Sequence, residues 1–205
     1  MKSKIDSRYK VNNDEDRICQ GDIFRDLEYD YRIYKDKNGT LAKDTITLSY
    51  LIVISQDCDL ESDYRNRNQK SEEQKTQDKF LNSILVCPAY LADNLRLGTH
   101  LNGTGFNLTM EKYDHARWGI ILDNKNERYH YLLADIDLQV PELTIDFKHY
   151  FSIPRSYLYS SRKDHYIASI NELFREALSQ RFAYYISRIG LPTIEKEENL
   201  EIVKN

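Results

Sequence analysis

Apolar positions along the chain fall into short runs, alternating or continuous, separated by turn-forming residues. That is the signature of strands rather than of long helices. Ile18 to Leu27 reads as a first strand, with Gly21-Asp22 marking a bend or bulge near its start. Tyr29, Tyr31, Ile33 and Tyr34 mostly alternate up to Asn38-Gly39, a pair that favours the left-handed backbone of a two-residue hairpin loop. Leu41 to Ile54 then resumes as strand. Its end, Leu51-Ile-Val-Ile54, is the β-branched run of a strand buried on both faces. Phe80 to Tyr90 gives the next strand, with Ile84 to Cys87 buried and Pro88 ending it. Leu91 to Leu97 predicts a short helix, and Leu101 to Lys112 a loop. Trp118 to Leu122 and Arg128 to Leu133 flank Asp123-Asn-Lys-Asn126 and read as a second hairpin. Leu143 to Ile153 predicts a further strand, and Pro154 opens the next element.

The C-terminal part changes period. Leu173, Phe174, Ala177, Leu178, Phe182, Tyr185, Ile186 and Ile189 recur at helical spacing. Ser169 or Asn171 caps this helix, Gly190 and Pro192 stop it, and its bounds are about 169–189. The expected architecture is mainly β (α+β): a small SH3-like or related barrel closed by a long C-terminal helix. Residues 1–17 read as a flexible N-terminus, 18–192 as a single domain, 61–79 as a polar insertion with almost nothing to bury, and 193–205 as an acidic tail. The insertion reads as a mobile excursion or a solvated helix, and as a lid or partner loop in the functional reading.

Composition narrows the classes. At 205 residues the chain can bury a core without disulfides or metals. Charged residues make up 30% and mean hydropathy is −0.68, so the expectation is a soluble protein. A net charge of −4 argues against non-specific DNA binding, which needs a basic surface. No apolar run approaches the ~20 residues of a membrane span, and the N-terminus lacks a signal core. Cys19, Cys58 and Cys87 are odd in number and far apart, which points to a reducing cytoplasm. Tyrosine is abundant, at 16 residues, and suits half-buried strands or a binding surface with one wet end per ring.

The candidate chemistry sits where the central strand stops, in Ser55-Gln-Asp-Cys-Asp59. Asp57 and Asp59 would share a face of a continuing strand and Cys58 the other; a break at Gln56 would bring all three into a loop. A thiolate nucleophile needs a cationic neighbour, and two flanking carboxylates oppose it. The same carboxylates, with Glu61 and Asp63 nearby, lack the spacing of a calcium loop, so no metal is expected. The plain reading is Cys58 in the core with the aspartates capping turns. His130, in Arg128-Tyr-His-Tyr, is a strand histidine or the partner of Cys58; His149 is a similar case. Catalytic candidates are therefore Asp57, Cys58, Asp59 and His130, and ligand-binding candidates are Ser55, Gln56, Arg25 and Arg128. Arg175, Arg181 and Arg188 on the C-terminal helix are solvated charges or a basic ridge. No phosphate loop, nucleophile elbow or zinc-protease motif is present, and no cofactor is expected.

Gly21-Asp-Ile-Phe24, Leu51-Ile-Val-Ile-Ser55 and Ile84-Leu-Val-Cys-Pro88 resemble the strand framework of MazF/PemK-type toxins over residues 18–90. That resemblance implies an SH3-like barrel and metal-independent cleavage of single-stranded RNA. The loop before the central strand reads Asp36-Lys-Asn-Gly-Thr-Leu41 where the family carries a Q-R-G-x-R-P-like sequence. Ala89-Tyr90 stands where a threonine is expected, so the fold carries over and the nuclease site does not. The whole chain more closely resembles a bacterial family with the order Gly-Asp-Ile-Phe (21–24), Ser-Gln-x-Cys-Asp-Leu (55–60), Arg-Tyr-x-Tyr-Leu (128–132) and Arg-x-Gly-Leu-Pro (188–192); this resemblance implies one domain and supplies no activity. The leading expectation is a non-enzymatic recognition or regulatory module of a bacterial cytosolic system. It would work through a protein partner, or as a homodimer through the C-terminal helix. The alternatives are a divergent endoribonuclease of toxin–antitoxin type using Arg25, Ser55, Asp57 and His130, with RNA as ligand, and a thiol enzyme pairing Cys58 with His130.

Overall fold

The computed structural model describes residues 7–12, 17–69, 76–104 and 108–188. Eight strands occur among them: β1 (Tyr9–Lys10), β2 (Asp22–Lys35), β3 (Leu41–Val53), β4 (Ser83–Leu91), β5 (Tyr129–Leu132), β6 (Leu143–Asp146), β7 (Phe151–Pro154) and β8 (Tyr166–Ile170). All pair antiparallel in one sheet, in the order β1-β8-β2-β3-β4-β6-β5, with β7 also beside β4. The sheet curls strongly into a half-barrel. The described helices are α1 (Asp57–Arg67), α2 (Ala92–Arg96), α3 (His115–Leu122), α4 (Arg155–His165) and α5 (Glu172–Ile186), with a 3-10 turn at Phe147–His149. The architecture is mixed α+β.

The β-branched run predicted as central is central. Ile52 pairs with Ile23 on one side and Cys87 on the other, and Leu51 to Val53 are fully buried. Alternate residues then feed two cores. One face carries Ile23, Ile52, Cys87, Ala89 and Ile145 under Leu178 and Phe182 of α5. The other carries Phe24, Leu51, Val53, Val86 and Ile153 under Leu60 of α1 and Leu158 of α4. A third cluster joins α2 and α3 to β5 through Leu95, Trp118, Ile121 and Tyr129. Each large side chain so buried stabilises the fold by about 1.5–3 kcal/mol before entropy is counted.

Gly21 explains the bend predicted at Gly21-Asp22. Its φ is +82°, and a Cβ there would lie 3.1 Å from Ile170 Cβ. Its N–H donates to Val53 O and its carbonyl accepts from Ile170 N, so it stitches β3 to β8 across the start of β2.

Several elements differ from expectation. The hairpin loop is longer than two residues: Asp36 N donates to Thr40 O and Gly39 N to Asp36 O, and the Asp36 carboxylate accepts from the Asn38 and Thr40 amides. Only Gly39 of the Asn-Gly pair takes a positive φ, +78°. Residues 118–122 are helical, not a strand of a second hairpin, because the Asp114 side chain caps α3 by accepting from Arg117 N at 2.9 Å. β5 pairs with β6 instead. The strand predicted over 143–153 is broken into β6 and β7 by the 3-10 turn, whose Lys148 N donates to the Asp146 carboxylate. Pro154 does open an element, α4. Ser169 and Ile170 belong to β8, so Asn171 is the cap of α5, which runs to Ile186. Gly190 and Pro192 lie outside the described residues. Of the segment expected to be flexible, Tyr9 is buried and pairs with Ile170. Of the polar insertion, residues 61–67 continue α1, with Asp63 buried between Arg67 and Arg155.

Candidate functional site

β3 is joined to β4 only over Tyr50–Val53. Beyond Ala89, β4 swings away to pair with β6 and turns into α2. Where the two strands part, a cleft of about 560 Å³ opens. Tyr29 and Tyr31 of β2, Ile46, Leu48 and Tyr50 of β3, Pro88 and Tyr90 of β4, and Phe151 of β7 form its walls. Its volume falls in the range of small-molecule and side-chain pockets, and its lining is apolar with hydroxyls at the edges. Tyr29 packs on Phe151 and Tyr157, with ring centroids 5.6 and 6.0 Å apart, which holds one wall in place.

One wall carries titratable groups. The Tyr90 hydroxyl and His149 Nδ1 are 2.9 Å apart, and Asp146 Oδ2 is 3.3 Å from the same nitrogen. Asp146 is fully buried and takes both fork nitrogens of Arg128, at 2.7 and 2.6 Å. Burial raises the Tyr90 hydroxyl well above its usual value, and the Asp146 charge adds to this. Burial lowers His149, with Asp146 pulling partly back. His100 stacks edge-on against Tyr90 at 4.7 Å, and burial pulls it down to about 4. The Asn94 carbonyl offsets little of that, and no ring nitrogen of His100 meets a described acceptor with hydrogen-bond geometry. At neutral pH His100 and Tyr90 are therefore uncharged.

The Ser55–Asp59 motif lies elsewhere. Residues 57–59 form neither a strand end nor a loop but the first turn of α1, where acidic side chains suit the helix dipole. Asp57 accepts from Arg17 at 2.8 Å and Gln20 N at 3.1 Å, with Arg175 at 3.4 Å. It ties α1 to the approach to β2 and to α5. Gln20 in turn donates to Ile54 O, and Ser55 Oγ accepts from Leu85 N. Cys58 is exposed, not packed in the core, with Gln56 Oε1 at 3.7 Å and Asp59 Oδ1 at 3.9 Å. Gln56 and Asp59 are exposed. A polar hollow of about 340 Å³ beside Asp57 is lined by Arg17, Cys19, Gln20 and Arg175. Beneath it the buried Asp22 accepts from Cys19 N and Ser169 Oγ, and burial pushes its carboxyl up to about 6.

The other candidates do not converge on this motif. His130 lies on β5, buried in a separate hollow with Tyr131 and Arg181, and burial followed by Arg181 pulls it down to about 3. Arg25 is exposed on β2, and its carbonyl faces His165 Nδ1 at 2.9 Å. Arg128 is held by Asp146. Arg181 donates to the carbonyls of Asn126 and Tyr129 rather than forming a solvated ridge. Among the described residues no group of three or more His, Cys, Asp or Glu side chains could hold a metal ion. No described helix is long and apolar enough to cross a membrane.

The cleft residues were not singled out by sequence spacing. They come from four strands and from the segments around Leu101 and His149, and the signal pointing to them is the excess of tyrosine. No family model, curated protein or solved structure matches the chain.

Proposed function

We propose that the protein is a recognition module that takes an apolar or aromatic group of a partner into the cleft between β3 and β4. The observation that carries this reading is the 560 Å³ tyrosine-lined cleft, open to solvent, with no Asp, Glu, Lys or Arg among the described residues of its lining. Tyrosines bind with large rigid contact area and little entropy loss, which suits recognition. The bacterial cytosol remains the proposed setting. We take the curled β2–β3–β4 meander as a relative of an SH3-like barrel, on the strength of its antiparallel order and strong curl.

The test uses indole as the probe. Indole is expected to bind the wild-type chain. Ser152→Trp, at an exposed rim position, fills the cleft and is expected to weaken binding by about tenfold or more. Binding unchanged by Ser152→Trp, or no binding to the wild type, contradicts the reading.

A second reading, a divergent metal-independent endoribonuclease, rests on the Tyr90–His149–Asp146 contacts in the cleft wall. Against it, Arg128 is committed to Asp146, and among the described residues lining the cleft there is no lysine or arginine for a phosphate. Total RNA is expected to stay intact with the purified protein in EDTA; cleavage there would put the nuclease reading first.

A further inference from the structure

The cleft lies beside an open sheet edge, and the two together specify what binds. Ile54 N donates to Leu85 O on the β4 side, whereas Val53 O accepts from Gly21 N on the β2 side. Backbone groups alternate along an antiparallel strand, and the positive φ of Asp26, +55°, switches the alternation between Tyr50 and Leu48: towards the hairpin, where Asp36 N donates to Thr40 O, the even-numbered residues of β3 face β2 and the odd-numbered ones turn their N–H and C=O outward. β4 meets β3 only from Tyr50 onward. Leu41, Lys43, Thr45 and Thr47 therefore present N–H and C=O groups to the space β4 has left, and no strand among the described residues pairs with them there. The opposite edge of the hairpin is treated differently: along β2, the Arg25 and Glu28 carbonyls meet His165 and Tyr157 of α4.

We infer that an extended peptide segment of a partner protein adds to the β3 edge over residues 41–47 as a further antiparallel or parallel strand, with alternate side chains entering the cleft. This rests on the recognition reading above. The chemistry of the segment follows from the two faces of β3. Side chains on the cleft face lie among Tyr29, Ile46, Leu48 and Tyr50 and must be apolar or aromatic. Side chains on the other face lie beside Lys43, Thr45 and Asp30, where Lys43 pairs with Asp30 at 2.9 Å, and must be polar. The ladder supplies affinity and the cleft supplies selectivity, as in other strand-addition modes. A second copy offering its own β3 edge fits less well. Its Ile46 and Leu48 are already buried in their own chain, so it brings nothing to fill the cleft.

The probe is an eight-residue peptide alternating phenylalanine or leucine with threonine, with a lysine at each end. Two further peptides carry N-methyl groups on one or the other alternate set of amides. The plain peptide is expected to bind the full chain and to slow hydrogen exchange of the Lys43, Thr45 and Thr47 amides. N-methylation of one set is expected to weaken binding by about tenfold or more, and of the other set hardly at all, since several net hydrogen bonds are lost only from the first. Lys43→Pro removes an outward N–H without touching the β2 ladder, and is expected to weaken binding relative to Lys43→Ala. Peptide binding in the cleft that ignores both N-methylation patterns overturns strand addition and leaves the recognition reading standing. Failure of both peptide and indole overturns the recognition reading as well. Self-association that protects the same amides without peptide shows a second copy at the edge and overturns the inference.

Discussion

Asp22 is a buried carboxyl whose surroundings oppose its charge. It is fully buried, and burial lifts its carboxyl to about 6 despite hydrogen bonds from Cys19 N and Ser169 Oγ. A carboxyl raised in the folded state contributes stability that is fully present below its unfolded pKa, near 3.8, and is lost as pH rises through about 6. The stability of wild type relative to Asp22→Asn is thus expected to fall by about 2 kcal/mol between pH 4 and 7, measured by urea unfolding. His100 and His130 act in the opposite sense. Their depressed values make stability present above pH 6.5 and lost as pH falls towards about 4 and 3. Both proteins carry them, so they cancel in the difference, and a difference that stays flat from pH 4 to 7 would contradict this placement of Asp22. The thiols differ as sharply. Cys58 is exposed and Cys87 buried with its Sγ 3.0 Å from Asp146 O, so alkylation under native conditions is expected to label Cys58 first and Cys87 only on unfolding. Labelling of Cys58 far faster than an ordinary exposed thiol would favour the thiol-enzyme alternative.

At the scale of elements, the hinge between β2, β3 and β8 depends on Gly21. Gly21→Ala forces a side chain into φ +82° and against Ile170, and is expected to cost about 1–3 kcal/mol of stability. A thermal midpoint equal to wild type would show that the turn relaxes freely. Strands with β-branched apolar runs, such as 51–53 and 84–87, were legible in sequence because their burial on both faces leaves no ambiguity of period. The helices next to them were not. α1 buries only Leu60 and Asp63, so nothing in its spacing marks a face, and from sequence its first turn resembles a strand end or loop. Trp118 to Leu122 is apolar enough to pass for a strand, and the capping by Asp114 decides otherwise. α4 buries Leu158 and Arg162 among polar residues and gave no apolar period to follow.

For the whole molecule, the curl of the sheet creates what sequence order hides. The motif at 55–59 looked like a site because a strand ends in reactive side chains, yet Asp57 is a fastening among Arg17, Gln20 and Arg175. The cleft arises because β4 leaves β3 after Ala89, a long-range event that no local pattern records. Its tyrosines are scattered at positions 29, 31, 50 and 90, so the sequence shows their number but not their convergence. The most direct measurement is an amide chemical-shift map of the wild-type chain titrated with indole. If the cleft is the recognition site, shifts will cluster at Tyr29, Leu48, Tyr50, Tyr90 and Phe151 and disappear in Ser152→Trp. Shifts confined to the Asp57–Cys58–Asp59 turn, or no localised shifts at all, would contradict it.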